Sequence, residues 1–329
     1  VFRGESPLYD ALARGVAADP EALTLAEMIP PQQPPSNVLF GVAHYLLLMG
    51  IEHPVKQYYP SFGGTKPVHA AYPHFRDFCL KHAEAMRPLL ATRKTQTNEA
   101  RRCALLLPAF GVISRRVDHA PLPMIEVGAS AGLNLLWDRY AYDYGPAGQG
   151  GDRASSVVVQ CEARGKKPLL IPAAMPAVAA RVGIDLEPGD VRDADQMRWQ
   201  RALIWPDQPE RAALFERALE VARRDPPRIL QGDALETLPG VLAEIPVSSP
   251  VVVYHSFTLN QFSPQARQGL DDLLAARSVG RVLFRVSIEW YAGDDCPALR
   301  LFTYQDGARA EEHLAHCHHH GRWIEWLGD

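Results

Sequence analysis

A chain of 329 residues, 47% hydrophobic and 22% charged, is long enough for one large or two ordinary domains with sizeable cores. Its net charge of -4 leaves no basic footprint for nucleic acid, no apolar run approaches the ~20 residues that span a bilayer, and its five cysteines are scattered without a Cys-x-x-Cys pair. These features set aside nucleic-acid-binding, membrane and disulfide-scaffold classes, and they lead us to expect a cytoplasmic protein with a small-molecule or protein substrate.

Residues 1–118 read as an all-helical N-terminal domain. Ser6 stands as N-cap with Pro7 at the first helical position, and Leu8, Ala11, Leu12 and Val16 follow near a 3.6-residue period. The segments 36–50, 68–93 and 98–117 continue in the same manner, with Thr97 or Asn98 as the expected cap of the last. Tyr58, Tyr59 and Phe62, before Gly63-Gly64, form an aromatic cluster suited to a pocket or a domain seam, and Trp199 and Trp205 read as core.

From residue 119 onward, short apolar runs alternate with helices, which predicts a doubly wound, mostly parallel α/β sheet. Strands are expected in "PLPMIEVG", "ARVGIDLEP" (180–188), "PRILQGDA", "PVVVYHS" and "RVLFRVSIEW". A further pair, "ALRLFTYQ" and "GRWIEWL", is expected to close the sheet around one last helix, giving seven strands. Asp207 and Glu210 have the spacing of a capping box at the start of a helix. Residues 139–179 read as an inserted hairpin.

The stretch "MIEVGASAGLNLL" admits two chemistries. As Gly-x-Ser-x-Gly it is a nucleophile elbow, with Ser130 attacking, His255 or a histidine in 313–320 as base, and Asp233 or Asp294 behind that base. Glu126 counts against this reading, because a carboxylate buried before such a turn is costly without partners. A dinucleotide fingerprint would need glycines where Ser130 and Leu133 stand. An S-adenosylmethionine site accounts for more of the surrounding sequence. It would use Glu126, the turn Gly128, Ala129, Ser130 and Gly132, then Asn134, with Asp185 and Asp233-Ala234 at the next two strand ends. His255, at the fourth strand end, then becomes the candidate general base.

The series "EVGASAG", "GIDLEP", "QGDA" and "VVVYHS" resembles the motif succession of class I S-adenosylmethionine-dependent methyltransferases over residues 122–329. Over nearly the whole chain, "QTNEARR", "IEVGASAGLNLLWDRYAYDYG", "RALIWPDQPER" and "HHGRWIEWL" resemble the bacterial domain of unknown function 2332. The first resemblance implies a Rossmann-like, methyltransferase-like domain, S-adenosylmethionine as cofactor, and methyl transfer to a small-molecule or protein acceptor. Ser130 departs from it by replacing the loop's middle glycine. The second favours Gln96, Asn98 and Arg102 as substrate-binding residues and Glu99 as a second candidate base. Two other classes stand beside this reading: a serine hydrolase using Ser130, and a ligand-binding relative of the fold without catalysis.

His313, His316, Cys317 and His320 would share one face of a helix, a set that zinc accepts. A surface helix ending at Gly321, with histidines near its negative end, is the reading we favour, with no metal.

Overall fold

The computed structural model describes residues 2–328, which form two compact units. The first comprises the chain up to Thr97 together with Arg192–Phe215, and the second Asn98–Val191 together with Glu216 onward. The expected boundary at 118 therefore falls elsewhere. The helix α6 (Cys103–Arg116) belongs to the second unit, whereas α7 (Ala194–Ala202) returns to the first.

The first unit contains α1 (Pro7–Ala17), α2 (Pro20–Ala26), α3 (Pro35–Leu48), α4 (Ala71–Lys81) and α5 (Ala83–Thr92), as well as α7. Ser6 caps α1 as its sequence predicts, its Oγ accepting the Tyr9 N–H at 3.2 Å. Asp207 serves this same helix end rather than closing a capping box with Glu210, accepting from Ser6 Oγ at 2.9 Å and from the Leu8 N–H at 3.2 Å. Its charge there complements the unpaired donors and positive end of α1. The helix α3 is apolar on all sides and buried as such, and Trp199 and Leu203 pack where Gly41 leaves room. Tyr58, Tyr59 and Trp199 are buried in this unit's own core, with Trp205 packed against it.

The second unit is built on a large, mostly parallel sheet. In chain order its strands are β1 (Leu122–Val127), β5 (Glu162–Arg164), β6 (Val178–Asp185), β7 (Ile229–Gln231), β8 (Val251–Ser256), β9 (Val282–Glu289), β10 (Ala298–Gln305), β11 (Ala308–Cys317) and β12 (Trp323–Trp326). Their spatial order is β5-β12-β11-β10-β9-β8-β1-β6-β7, so the sheet has nine strands among the described residues rather than the expected seven. The inserted segment forms its own small sheet of β2 (Ala141–Asp143), β3 (Gln149–Gly151) and β4 (Val158–Gln160), with β2 and β3 as the antiparallel hairpin.

Burial on both faces explains why β1 reads as an unbroken apolar run: every residue in it is buried. One face packs α9 (Ala234–Ala243) and α10 (Pro264–Arg277), where Ile125, Val127, Val251 and Val253 share a core with Leu238, Leu270 and Leu274. The opposite face meets α6, whose Phe110 ring lies 5.3 Å from that of Tyr254. The helix α8 (Pro209–Arg224) is divided between the units, with Glu216–Arg224 in this one. Leu133–Arg139 is a 3-10 segment kinked at Leu136.

The histidine-rich stretch is a strand and not a helix. His313 and His316 lie in β11, paired antiparallel with β10, and the pairing shifts register between Leu299 and Arg300. That bulge brings the two imidazoles edge to face at 4.7 Å, whereas His320 lies beyond the strand. Helical spacing in the sequence is overridden here by ladder hydrogen bonds to β10, the strand that immediately precedes it in the chain.

Candidate functional site

Among the parallel strands, β1 connects forward to β6 and β7 on one side, while β8 and β9 lie on its other side. The C-terminal ends of β1 and β8 therefore flank the point where strand order reverses, which is the ligand position in open α/β sheets. The turn 128–132 leaves β1 there, and the turn 256–258 leaves β8.

Gly128 has φ +76°, and a Cβ on it would collide with Thr258 Oγ1, so the two turns touch only because residue 128 has no side chain. Gly183, next to Glu126 across β1 and β6, plays a similar part, since a Cβ there would stand 2.6 Å from that of Ala129. Every backbone N–H of the turn has an acceptor within the protein. Those of Gly128 and Ala129 reach Ile184 O (2.8 and 3.2 Å), and that of Gly132 reaches Ala129 O (2.7 Å). Ser130 N–H donates to Asp185 Oδ2 at 2.7 Å and Ala131 N–H to Asn98 Oδ1 at 3.3 Å. The turn thus lacks the open amides with which a phosphate nest works.

Beneath it, Glu126 is 1% exposed. Its carboxylate accepts from Asn134 Nδ2 at 3.3 Å and Tyr254 Oη at 3.5 Å, both neutral donors. Burial pushes the carboxyl up to about 8; the bond from Asn134 opposes this, nearby Asp185 reinforces it, and Arg102 and Tyr254 oppose it further. At neutral pH this is a protonated acid that a cation would ionise.

Asp185 Oδ1 also accepts the Glu187 N–H at 2.9 Å, so both its oxygens hold backbone. Gly232 N–H donates to Asp185 O at 2.9 Å, bringing the end of β7 alongside, and Asp233 caps α9 through the Leu235 N–H at 2.8 Å, with Ala234 as the first helical residue. Glu126, Gly128, Ala129, Ser130, Gly132, Asn134 and Asp185 are therefore gathered at one place, with Asp233 and Ala234 at the neighbouring strand end.

The segment 98–102 joins them. The cap of its short 3-10 turn is Glu99, which accepts the Arg101 N–H, rather than Thr97 or Asn98. Asn98 instead supports the glycine turn. Arg102 donates to Ser256 O and Oγ (both 3.3 Å) and to His319 O (3.1 Å), and its guanidinium lies over the Phe257 ring at 4.4 Å. Phe257 has φ +55°, a conformation bulky residues seldom adopt. Glu99 Oε2 lies 3.5 Å from His320 Nδ1. Gln96, expected alongside, belongs to the first unit and accepts from Gln200 there at 3.4 Å.

His255 points elsewhere. Tyr254, one residue earlier, shares a face with Glu126, so alternation turns His255 towards α9 and α10. There it is 0% exposed, with Nδ1 2.9 Å from Glu289 Oε1. Ser130 Oγ and His255 Nε2 are each buried without a hydrogen-bond partner, so the contact needed by a nucleophile and its base is not formed.

The residues of this place that sequence reasoning missed are Gly183, Phe257, Thr258 and Glu289, and it named but did not bring to Glu99 the side chain of His320. The string "HHGRW" held a signal for the last, because it meets "NEARR" in space through Glu99 and Arg102.

Among the described residues, no cluster of three or more His, Cys, Asp or Glu has the arrangement to hold a metal, and no helix is long and apolar enough to cross a membrane. No curated protein matches the chain. The sequence profile of domain of unknown function 2332, described as an uncharacterised protein conserved in bacteria, matches residues 2–326, and the chain belongs to that family.

Proposed function

We propose that this protein is an S-adenosylmethionine-dependent methyltransferase with a Rossmann-like second unit, acting on a small-molecule or protein acceptor. The supporting observation is the buried Glu126 under a glycine turn at the switch point, with only neutral hydrogen-bond donors. S-adenosylmethionine, when bound, supplies an electrophilic methyl on a sulfonium and carries an ammonium group. A carboxyl in a low-dielectric site is suited to such a cation, which restores its ionised form.

The chain's own residues divide the remaining tasks. Gly128 permits close backbone approach, and the saturated amides favour a ligand that brings no phosphate to the turn. Asp185 and Asp233 stand at the ends of β6 and β7, where their carboxylates are placed to accept from a ligand's hydroxyl and amine groups. Glu99 is the candidate base at the ligand end of the sheet, and Asn98 and Arg102 shape the acceptor's side. Positioning and exclusion of water would carry most of the rate enhancement.

Isothermal titration with S-adenosylmethionine and S-adenosylhomocysteine tests this reading. Micromolar binding that is lost in Asp185→Ala supports it; no heat at millimolar ligand removes it.

A further inference from the structure

We propose that Glu289, with His255 behind it, is a positioning residue for the ligand turn after β1, acting on that turn through Thr258. The assignment rests on reading residues 128–132 as the cofactor's turn.

One oxygen carries the arrangement. Glu289 Oε1 accepts the Thr258 N–H at 2.8 Å, the Leu259 N–H at 2.9 Å and a bond from His255 Nδ1 at 2.9 Å. The two backbone donors open the short 3-10 turn Leu259–Gln261, where no other capping side chain stands. Thr258 in turn donates through Oγ1 to Val127 O at 3.2 Å, on the last residue of β1, and occupies the space that a side chain on Gly128 would need. A chain of contacts thus runs from β9 to the turn after β8 and on to the turn after β1.

Strain makes the clamp necessary. Phe257 is held at φ +55° between two fixed neighbours: its own N–H donates to Ile288 O at 2.9 Å, and the next two amides end on Glu289. Without those acceptors the turn would relax towards ordinary φ, and Thr258 would withdraw from Gly128.

The environment suits an ionised acceptor. Glu289 is 4% exposed; burial alone would raise its carboxyl, but the bonds from His255 and the two amides outweigh that and hold it below the usual range. Burial also lowers His255, against the pull of Glu289, so the imidazole is a neutral donor through Nδ1. A fully enclosed imidazole in that state is a support for Glu289 and has no path to an acceptor's proton.

Amide hydrogen exchange and titration with S-adenosylhomocysteine, on wild type, Glu289→Ala and Glu289→Gln, test the proposal. Glu289→Ala is expected to speed exchange in 256–262 and 128–132 while leaving β6 and β10 as in wild type, and to weaken S-adenosylhomocysteine about tenfold or more. Glu289→Gln keeps an oxygen for the two amides and should bind within about threefold of wild type. Unchanged exchange at 128–132, a uniform rise through the sheet, or equal losses in both variants would overturn the assignment. If wild type binds no S-adenosylhomocysteine, the cofactor reading falls, and the exchange comparison alone still decides whether Glu289 holds the two turns.

Discussion

Asp185 Oδ2 accepts the Ser130 N–H at 2.7 Å, so an acid at the end of β6 fixes the tip of the turn that follows β1. Removing it would strand that amide and the Glu187 amide together. Asp185→Ala should cost about 1–3 kcal/mol in urea-induced unfolding, and Asp185→Asn less, because its amide oxygen still accepts one bond. Equal stability of all three proteins would show that the bond to Ser130 carries no net energy.

Glu126 sets a pH dependence of known sign. Its carboxyl rises from 4.5 in the unfolded chain to about 8 in the folded protein, so between those values the folded state holds a proton that the unfolded state has lost. Stability from this group is full below pH 4.5, falls as pH rises, and levels above about 8. Glu126→Gln should remove that slope and raise stability near pH 8 by about 4 kcal/mol, with little change near pH 4.5. The same carboxyl should release a proton when a cationic ligand binds at neutral pH, seen as heats that differ between buffers of unlike ionisation enthalpy.

Ser130 combines φ +53° with a buried hydroxyl that has no partner. Ser130→Gly relieves both and is expected to be neutral or stabilising by up to about 1 kcal/mol, despite the added freedom of the unfolded chain. Gly128→Ala should do the reverse, destabilising by about 1–3 kcal/mol because its methyl meets Thr258 at a positive φ. A fluorophosphonate should leave wild type unlabelled; labelling that vanishes in Ser130→Ala would favour the hydrolase.

Arg102 combines a stack on Phe257 with bonds to Ser256 and His319. Lysine supplies charge but neither the planar fork nor the stack. Arg102→Lys should therefore lower the melting temperature, with exchange rising at 256–258 and 318–321 first.

Much of this was legible because local composition and tertiary demand agree. The apolar runs of β1, β8 and β9 are buried on both faces, and Ser6 caps the helix its position announces. The misreadings share a cause in ladder and packing contacts that the periodicity of the segment itself does not carry. The stretch around His313 has helical spacing, yet its backbone is bonded to β10. The helix α6 looks like its helical predecessors but is buried almost all round within the α/β unit. At the site, strand-end acids and turn glycines advertise themselves, whereas Glu289 is joined to Thr258 across 31 positions, and no local pattern records that partnership.

The turn 128–132 has no amide left to offer. A phosphate brought to this turn would meet a glycine loop of familiar outline whose five amides already have acceptors within the protein. To take a phosphate there, the turn would first have to give up hydrogen bonds that five consecutive residues make at rest.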